Sequence, residues 1–140
     1  MKRLLRTQHG FTMVEMLIAI LLMTVGLLAV LTMQDVAINA NSISMRLTVA
    51  TSLAQEVLED ILSWKFDDPR ITTTAANVVY KWPPNSSAPS ISVPGAGSYS
   101  ATYTTTVGPA TGIPDGITRI VVTVTGGGRS VTVTGFKRTV

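Results

Sequence analysis

Glu15 is the residue whose position asks most of the chemistry. It is an acid standing at the head of an apolar run, and eighteen uncharged residues follow it from Met16 to Met33, with only Thr24 and Thr32 polar. A charge carried to mid-bilayer costs ~2.5–3.5 kcal/mol on insertion scales, so such an acid calls for a partner or a boundary position. Other residue types that do chemistry are sparse. The chain has no cysteine, which removes thiolate chemistry and Cys-based zinc sites. Its one histidine, His9, precedes the apolar run. Asp67 and Asp68 form a possible metal pair, with a solvated helix end as the plainer reading. Glu56, Glu59 and Asp60 read as a solvated helix face rather than a catalytic acid pair. Trp64, Tyr80, Trp82, Tyr99 and Tyr103 are candidates for a glycan or partner surface, or for core anchors. Asn85-Ser86-Ser87 matches the N-glycosylation pattern. No phosphate loop, nucleophile triad or metal-spaced cluster is present, so neither an enzyme nor a cofactor or metal site is expected.

Composition points the same way. Of 140 residues 46% are hydrophobic and 14% charged, an average over two unlike pieces. Lys2, Arg3 and Arg6 are three of the eleven basic residues, and none of the eight acids lies before Glu15. Without residues 1–10 the chain carries eight of each sign. The formal +3 is therefore local, the other bases are dispersed, and direct nucleic-acid binding is not expected. Charge ahead of an apolar run instead holds an N-terminus in the cytoplasm, which puts the rest of the chain in the periplasm. Met16 to Met33 meets the lower limit of ~17–25 residues for a transmembrane helix. A secretory signal fits poorly, because the run exceeds a typical h-region and no small-x-small site closes it.

The elements that must position Glu15 follow from punctuation. Residues 11–64 lack proline and have Gly26 as their only glycine, which reads as one helix of roughly 80 Å at ~1.5 Å per residue. To about residue 33 it is apolar all round, the mark of a segment enclosed by lipid or other helices. Beyond that it is amphipathic, with Val36, Ala40, Ile43, Leu47, Ala50, Ala54, Val57 and Ile61 on one stripe widened by Leu53, Leu58 and Leu62. Alanine at three of these positions suits packing on a sheet better than a coiled-coil seam. Asp67-Asp68-Pro69 reads as the stop. Residues 65 to about 98, with Pro69, Pro83, Pro84, Pro89 and Pro94, read as loop. Residues 99–140 alternate apolar and polar, predicting three antiparallel strands. Tyr99, Ala101, Tyr103, Thr105 and Val107 share one face; Ile120, Val122 and Val124 continue it, as do Val131 and Val133. Pro114-Asp115-Gly116 marks one turn and Gly126-Gly127-Gly128 a hairpin. Three such strands need a cover, and the amphipathic helix supplies it. The expected fold class is α+β: a long N-terminal helix, membrane-spanning in its first half and amphipathic in its second, packed on a small antiparallel sheet. The expected division is 1–10 leader, 11–64 helix, and 65–140 loop-rich segment and sheet head.

The stretch KRLLRTQHGFTMVEMLIAILL resembles the prepilin N-terminal signature of type IV pilins and type II secretion pseudopilins. The resemblance implies the pilin fold and a membrane-inserted precursor cut by prepilin peptidase between Gly10 and Phe11. It further implies N-methylation of Phe11 and an assembly role for Glu15, with Met13 and Val14 standing where the family often has Leu and Ile. Implied partners are prepilin peptidase, other pilins through N-terminal helix packing, the assembly machinery of the inner membrane, and the lipid bilayer. The implied location is the bacterial inner membrane, single pass, and the cell-surface pilus after assembly. Two departures bear on rank: there is no helix-kinking proline near Leu31-Thr32-Met33, and after Asp68 the sole acid is Asp115, which disfavours a calcium loop. TVGLLAVLTMQ and ITRIVVTVTGGGRSVTVTGFKR are similar to minor pilins of the type IV pilus modification class, with adhesion, motility or DNA uptake as the implied tasks. Alternatives are a minor pseudopilin and a single-span periplasmic binding protein.

Overall fold

The computed structural model describes residues 10–83, 86–110 and 112–139. The fold is α+β, with an N-terminal helix α1 (Met13–Ser63), a short α2 (Pro69–Thr72), and strands β1 (Ala75–Tyr80), β2 (Ser90–Val93), β3 (Gly97–Val107), β4 (Ile117–Gly126) and β5 (Arg129–Arg138). Two compact units divide within α1, one ending at Ala40 and the other beginning at Asn41.

The first unit is the apolar stretch of α1. All of residues 10–40 are exposed in the single chain, so nothing in the chain itself satisfies their hydrophobic surface. The two hydroxyls of the run turn back onto their own helix. Thr24 Oγ1 donates to Leu21 O and Thr32 Oγ1 to Ala29 O, each at 2.8 Å, which leaves no unpaired polar hydrogen for an apolar surrounding. No proline interrupts the backbone, and the space around Gly26 is open.

The second unit packs the remainder of α1 on the sheet. Ala50, Leu53, Ala54, Val57 and Ile61 are buried, and they meet Tyr99, Ala101, Tyr103, Ile120, Val122 and Val124 from the alternating inner faces of β3 and β4. Each fully buried Ile or Val contributes ~1.5–3 kcal/mol relative to exposure. Close approach is built in at Gly135, where an added Cβ would lie 2.8 Å from Leu58 Cδ1. The sheet is antiparallel in the order β1-β3-β4-β5, and β2 takes the stretch of β3 edge that β1 leaves free. Only Gly127 and Gly128 lie between β4 and β5, both at positive φ, as a tight hairpin requires.

Two expectations are corrected. The apolar stripe is only half used: Ile43 and Leu47 remain 43% exposed, and burial starts at Ala50. The upper edge of the sheet explains this. Its β4–β5 turn reaches only as far as Arg46, whose side chain lies 3.1 Å from where a Gly127 Cβ would stand, so Ile43 has no strand opposite it. The sheet also has five strands rather than three, because the proline-rich stretch holds α2, β1 and β2. Asp68 and Pro69 are a start signal here as well as a stop. Asp68 Oδ1 accepts from Arg70 N at 2.9 Å, and proline occupies the first turn of α2. Buried threonines then tie this segment down. Thr105 Oγ1 donates to Thr73 O at 2.8 Å and Thr118 Oγ1 to Ile71 O at 3.0 Å.

The C-terminal end of α1 has no basic residue in its last turn. Lys137 on β5 supplies the cation, its Nζ donating to Leu62 O at 2.7 Å and also to Trp64 O. A positive charge there complements the exposed carbonyl end of the helix dipole.

Candidate functional site at the head of the apolar helix

The start of α1 is organised by a reciprocal pair. Thr12 stands just before the first helical residue, Met13, and Glu15 lies in the first turn. Glu15 N donates to Thr12 Oγ1 at 3.2 Å, while Glu15 Oε2 accepts from Thr12 N at 3.0 Å and from Thr12 Oγ1 at 3.2 Å. This is a capping box, in which hydroxyl and carboxylate each satisfy an amide that the helix start would leave unpaired. The acid also lies at the positive end of the helix dipole. Sequence reasoning passed over Thr12, although Thr-Met-Val-Glu carries the required four-residue spacing.

Glu15 is thus held by its own helix, in front of an 18-residue window with mean hydropathy 2.6, long and apolar enough to cross a membrane. The next acid along the helix, Asp35, is twenty positions away, roughly 30 Å at ~1.5 Å per residue. Gly10 and Phe11 lie ahead of the helix and are exposed, Phe11 to 86%. A protease and a methyl-transferring enzyme would find this backbone unobstructed by the chain's own fold. The basic leader residues Lys2, Arg3 and Arg6, with His9, lie outside the described residues, as do Pro84 and Asn85.

The other candidates are placed elsewhere. Asp68 grips Arg70 through two contacts, Nε to Oδ1 at 3.0 Å and Nη2 to Oδ2 at 2.6 Å. The Arg70 side chain, by hydrogen bond and charge, holds the Asp68 carboxyl down at about 2. Asp67 is exposed, and among the described residues no cluster of three His, Cys, Asp or Glu is placed to hold a metal. Glu56 and Glu59 are solvated, but Asp60 is not part of that face. Its Oδ2 accepts from Tyr80 OH at 2.9 Å and from Trp64 Nε1 at 3.2 Å. Burial, and then the Asp60 carboxylate, raise the Tyr80 phenol well above its ordinary range. The five aromatics separate into two groups. Tyr99 and Trp82 are core residues, whereas Trp64, Tyr80 and Tyr103 converge on one open cavity.

A capped acid opening a fully apolar helix, with the rest of that helix covering an antiparallel sheet, defines a pilin-like arrangement. The comparison with protein families agrees: residues 5–31 match the prokaryotic N-terminal methylation motif. The chain is therefore type IV pilin-like, and the motif supports a type IV pilin or pseudopilin that is a substrate of prepilin peptidase. Such a motif suggests a structural subunit rather than an enzyme, and with the single apolar helix it fits a single-pass inner-membrane protein. Neither a curated protein nor a solved structure matches the chain.

Proposed function

We propose that the protein is a minor type IV pilin, made in the inner membrane and assembled into, or priming assembly of, a pilus that serves adhesion, motility or DNA uptake. In this reading residues 1–10 are a cleaved leader, residues 11–64 form the helix that spans the membrane over Met16 to Met33, and residues 65–140 form a periplasmic head. Cleavage between Gly10 and Phe11 leaves the apolar helix attached, so the mature chain stays in the bilayer until assembly. Phe11 then bears the new, methylated amine, four residues from Glu15.

The observation that carries the proposal is the state of Glu15 within one chain: capped by Thr12 but without a counter-charge, at the head of a helix with no internal partner. In a bundle of such helices a neighbour's Phe11 amine supplies that charge. Buried pairs of this kind add little net stability, but leaving one member alone is strongly penalised. The pair therefore sets axial register. Minor rank is supported by the uninterrupted α1 and by the scarcity of acids after Asp68, which disfavours a pseudopilin-type calcium loop.

The capping box makes a sharper test available than deletion of the acid. Glu15→Gln keeps an oxygen for Thr12 N and removes the charge; Glu15→Ala removes both. Both variants are expected to insert and be cleaved, and both to be depleted from sheared pili. Wild-type incorporation of Glu15→Gln would remove the charge from the mechanism.

A further inference from the structure

The aromatic residues that the pilin reading leaves unused form a cavity of about 350 Å³ beside the C-terminal end of α1, lined by Trp64, Arg70, Tyr80, Lys81, Ser86 and Tyr103. Its walls are fixed before any ligand arrives. Trp64 and Tyr103 meet edge to face, with centroids 5.8 Å apart and planes at 81°. The Arg70 guanidinium lies 3.7 Å from the Trp64 ring centroid, a cation–π contact. Asp68 holds that guanidinium through Nε and Nη2, leaving Nη1 as its uncommitted donor. Asp60 holds Tyr80 OH and Trp64 Nε1 together. Two carboxylates thus serve as internal scaffolding and are not available to a ligand.

What remains free is a set of donors. Among the described residues Lys81 has no ion pair, and the Tyr103 hydroxyl makes no hydrogen bond although its residue is only 5% exposed. Val79, 49% exposed, borders the cavity as an apolar ledge. Arg70, Lys81 and Lys137 stand here against Asp60 and Asp68, a surplus of one positive charge. Aromatic and apolar walls suit the C–H face of a sugar ring, while uncommitted donors and one surplus charge suit an anionic acceptor group. The volume lies at the small end of ligand pockets, ~300–1,000 Å³. That size suits one or two rings.

We infer that this cavity binds a carboxylate-bearing sugar unit, a hexuronic acid, with its carboxylate at Lys81 and the Arg70 Nη1 edge, its hydroxyls at Tyr103, and its ring against Trp64 and Val79. Prior fixing of Arg70 and Trp64 lowers the ordering cost of binding. This assignment does not depend on filament assembly, so its failure leaves the pilin reading untouched.

The test uses the full chain in detergent micelles, with digalacturonate as the probe and its dimethyl ester and inorganic phosphate as controls, followed by Trp64 fluorescence and amide NMR shifts. The acid is expected to bind about 5–10-fold more tightly than the ester, since one surplus charge is at stake. Lys81→Gln is expected to abolish that preference, and Tyr103→Phe to weaken both sugars about 5-fold. Lys65→Gln, exposed and outside the cavity, leaves binding unchanged. Three results overturn the assignment: no binding at 10 mM digalacturonate, equal binding of acid and ester by the unaltered chain, or phosphate binding as well as the sugar. Shifts that avoid residues 64, 70, 81 and 103 do so as well.

Discussion

Lys137→Met isolates a contact that ties the two ends of the second unit together. Its Nζ donates to Leu62 O and Trp64 O across 75 and 73 residues of sequence, at a helix end with no basic residue of its own. Methionine keeps most of the aliphatic stem and removes the charge and both donors. A hydrogen bond to a charged group is worth ~1.5–3 kcal/mol, and leaving a carbonyl unsatisfied adds to the loss. A cation at a helix C-terminus contributes ~0.3–1 kcal/mol. These contributions overlap, so the expected loss is about 2–3 kcal/mol. For a unit of this size that is a fall in Tm of roughly 10–15 °C, at ~4–8 °C per kcal/mol. The assay is thermal unfolding of the full chain in detergent, followed by the fluorescence of Trp64 and Trp82. Lys137→Arg should fall between the two, because a planar guanidinium is poorly shaped to converge on both carbonyls. A loss below about 0.5 kcal/mol, inside the ordinary range for surface substitutions, would refute the reasoning.

Gly126→Ala tests the close pairing of Gly126 with Tyr99 in the β3–β4 register. A Cβ there would lie 2.1 Å from Tyr99 Cδ1 and 2.8 Å from Ser98 O. The Tyr99 ring cannot easily retreat, since its hydroxyl donates toward Ala96 O at 3.2 Å and Arg46 O at 3.3 Å. Destabilisation of about 2–3 kcal/mol is expected by denaturant titration, the upper range for overpacking; a neutral result means the ring is mobile. The Asp68–Arg70 pair makes stability depend on pH at the acid end. A carboxyl depressed to about 2 adds stability that is complete above its ordinary value near 4 and is lost as pH falls through about 2. Arg70→Gln should return the Asp68 titration toward the ordinary range and flatten that acid limb. Carboxyl NMR reads both effects, and an ordinary midpoint in the unaltered chain contradicts the pairing.

The three long strands were legible because their burial alternates strictly and Gly126-Gly127-Gly128 marks their turn. β1 and β2 were not. β1 breaks its alternation at a register shift between Ala75 and Val78, with Asn77 at φ 53°, and β2 is four residues long, too short for periodicity to register. The helix stripe was legible as a pattern, but its periodicity continues past the sheet, so sequence alone did not locate where burial begins. In the candidate site, Gly10, Phe11 and Glu15 stand out by type and spacing. Thr12 was equally readable as a cap and was eclipsed by the charge beside it. Asp60 was hidden for another reason: its partner Tyr80 lies twenty residues away on a strand that gave no signal.

The central claim is that the chain is processed at Gly10–Phe11 and enters the filament through the new N-terminus. Mass spectrometry of the mature protein purified from membranes and pili tests it most directly. The account predicts an N-terminal peptide beginning with N-methyl-Phe11 in both fractions. An intact Met1 in the mature protein would contradict it, and would leave α1 as an anchor only.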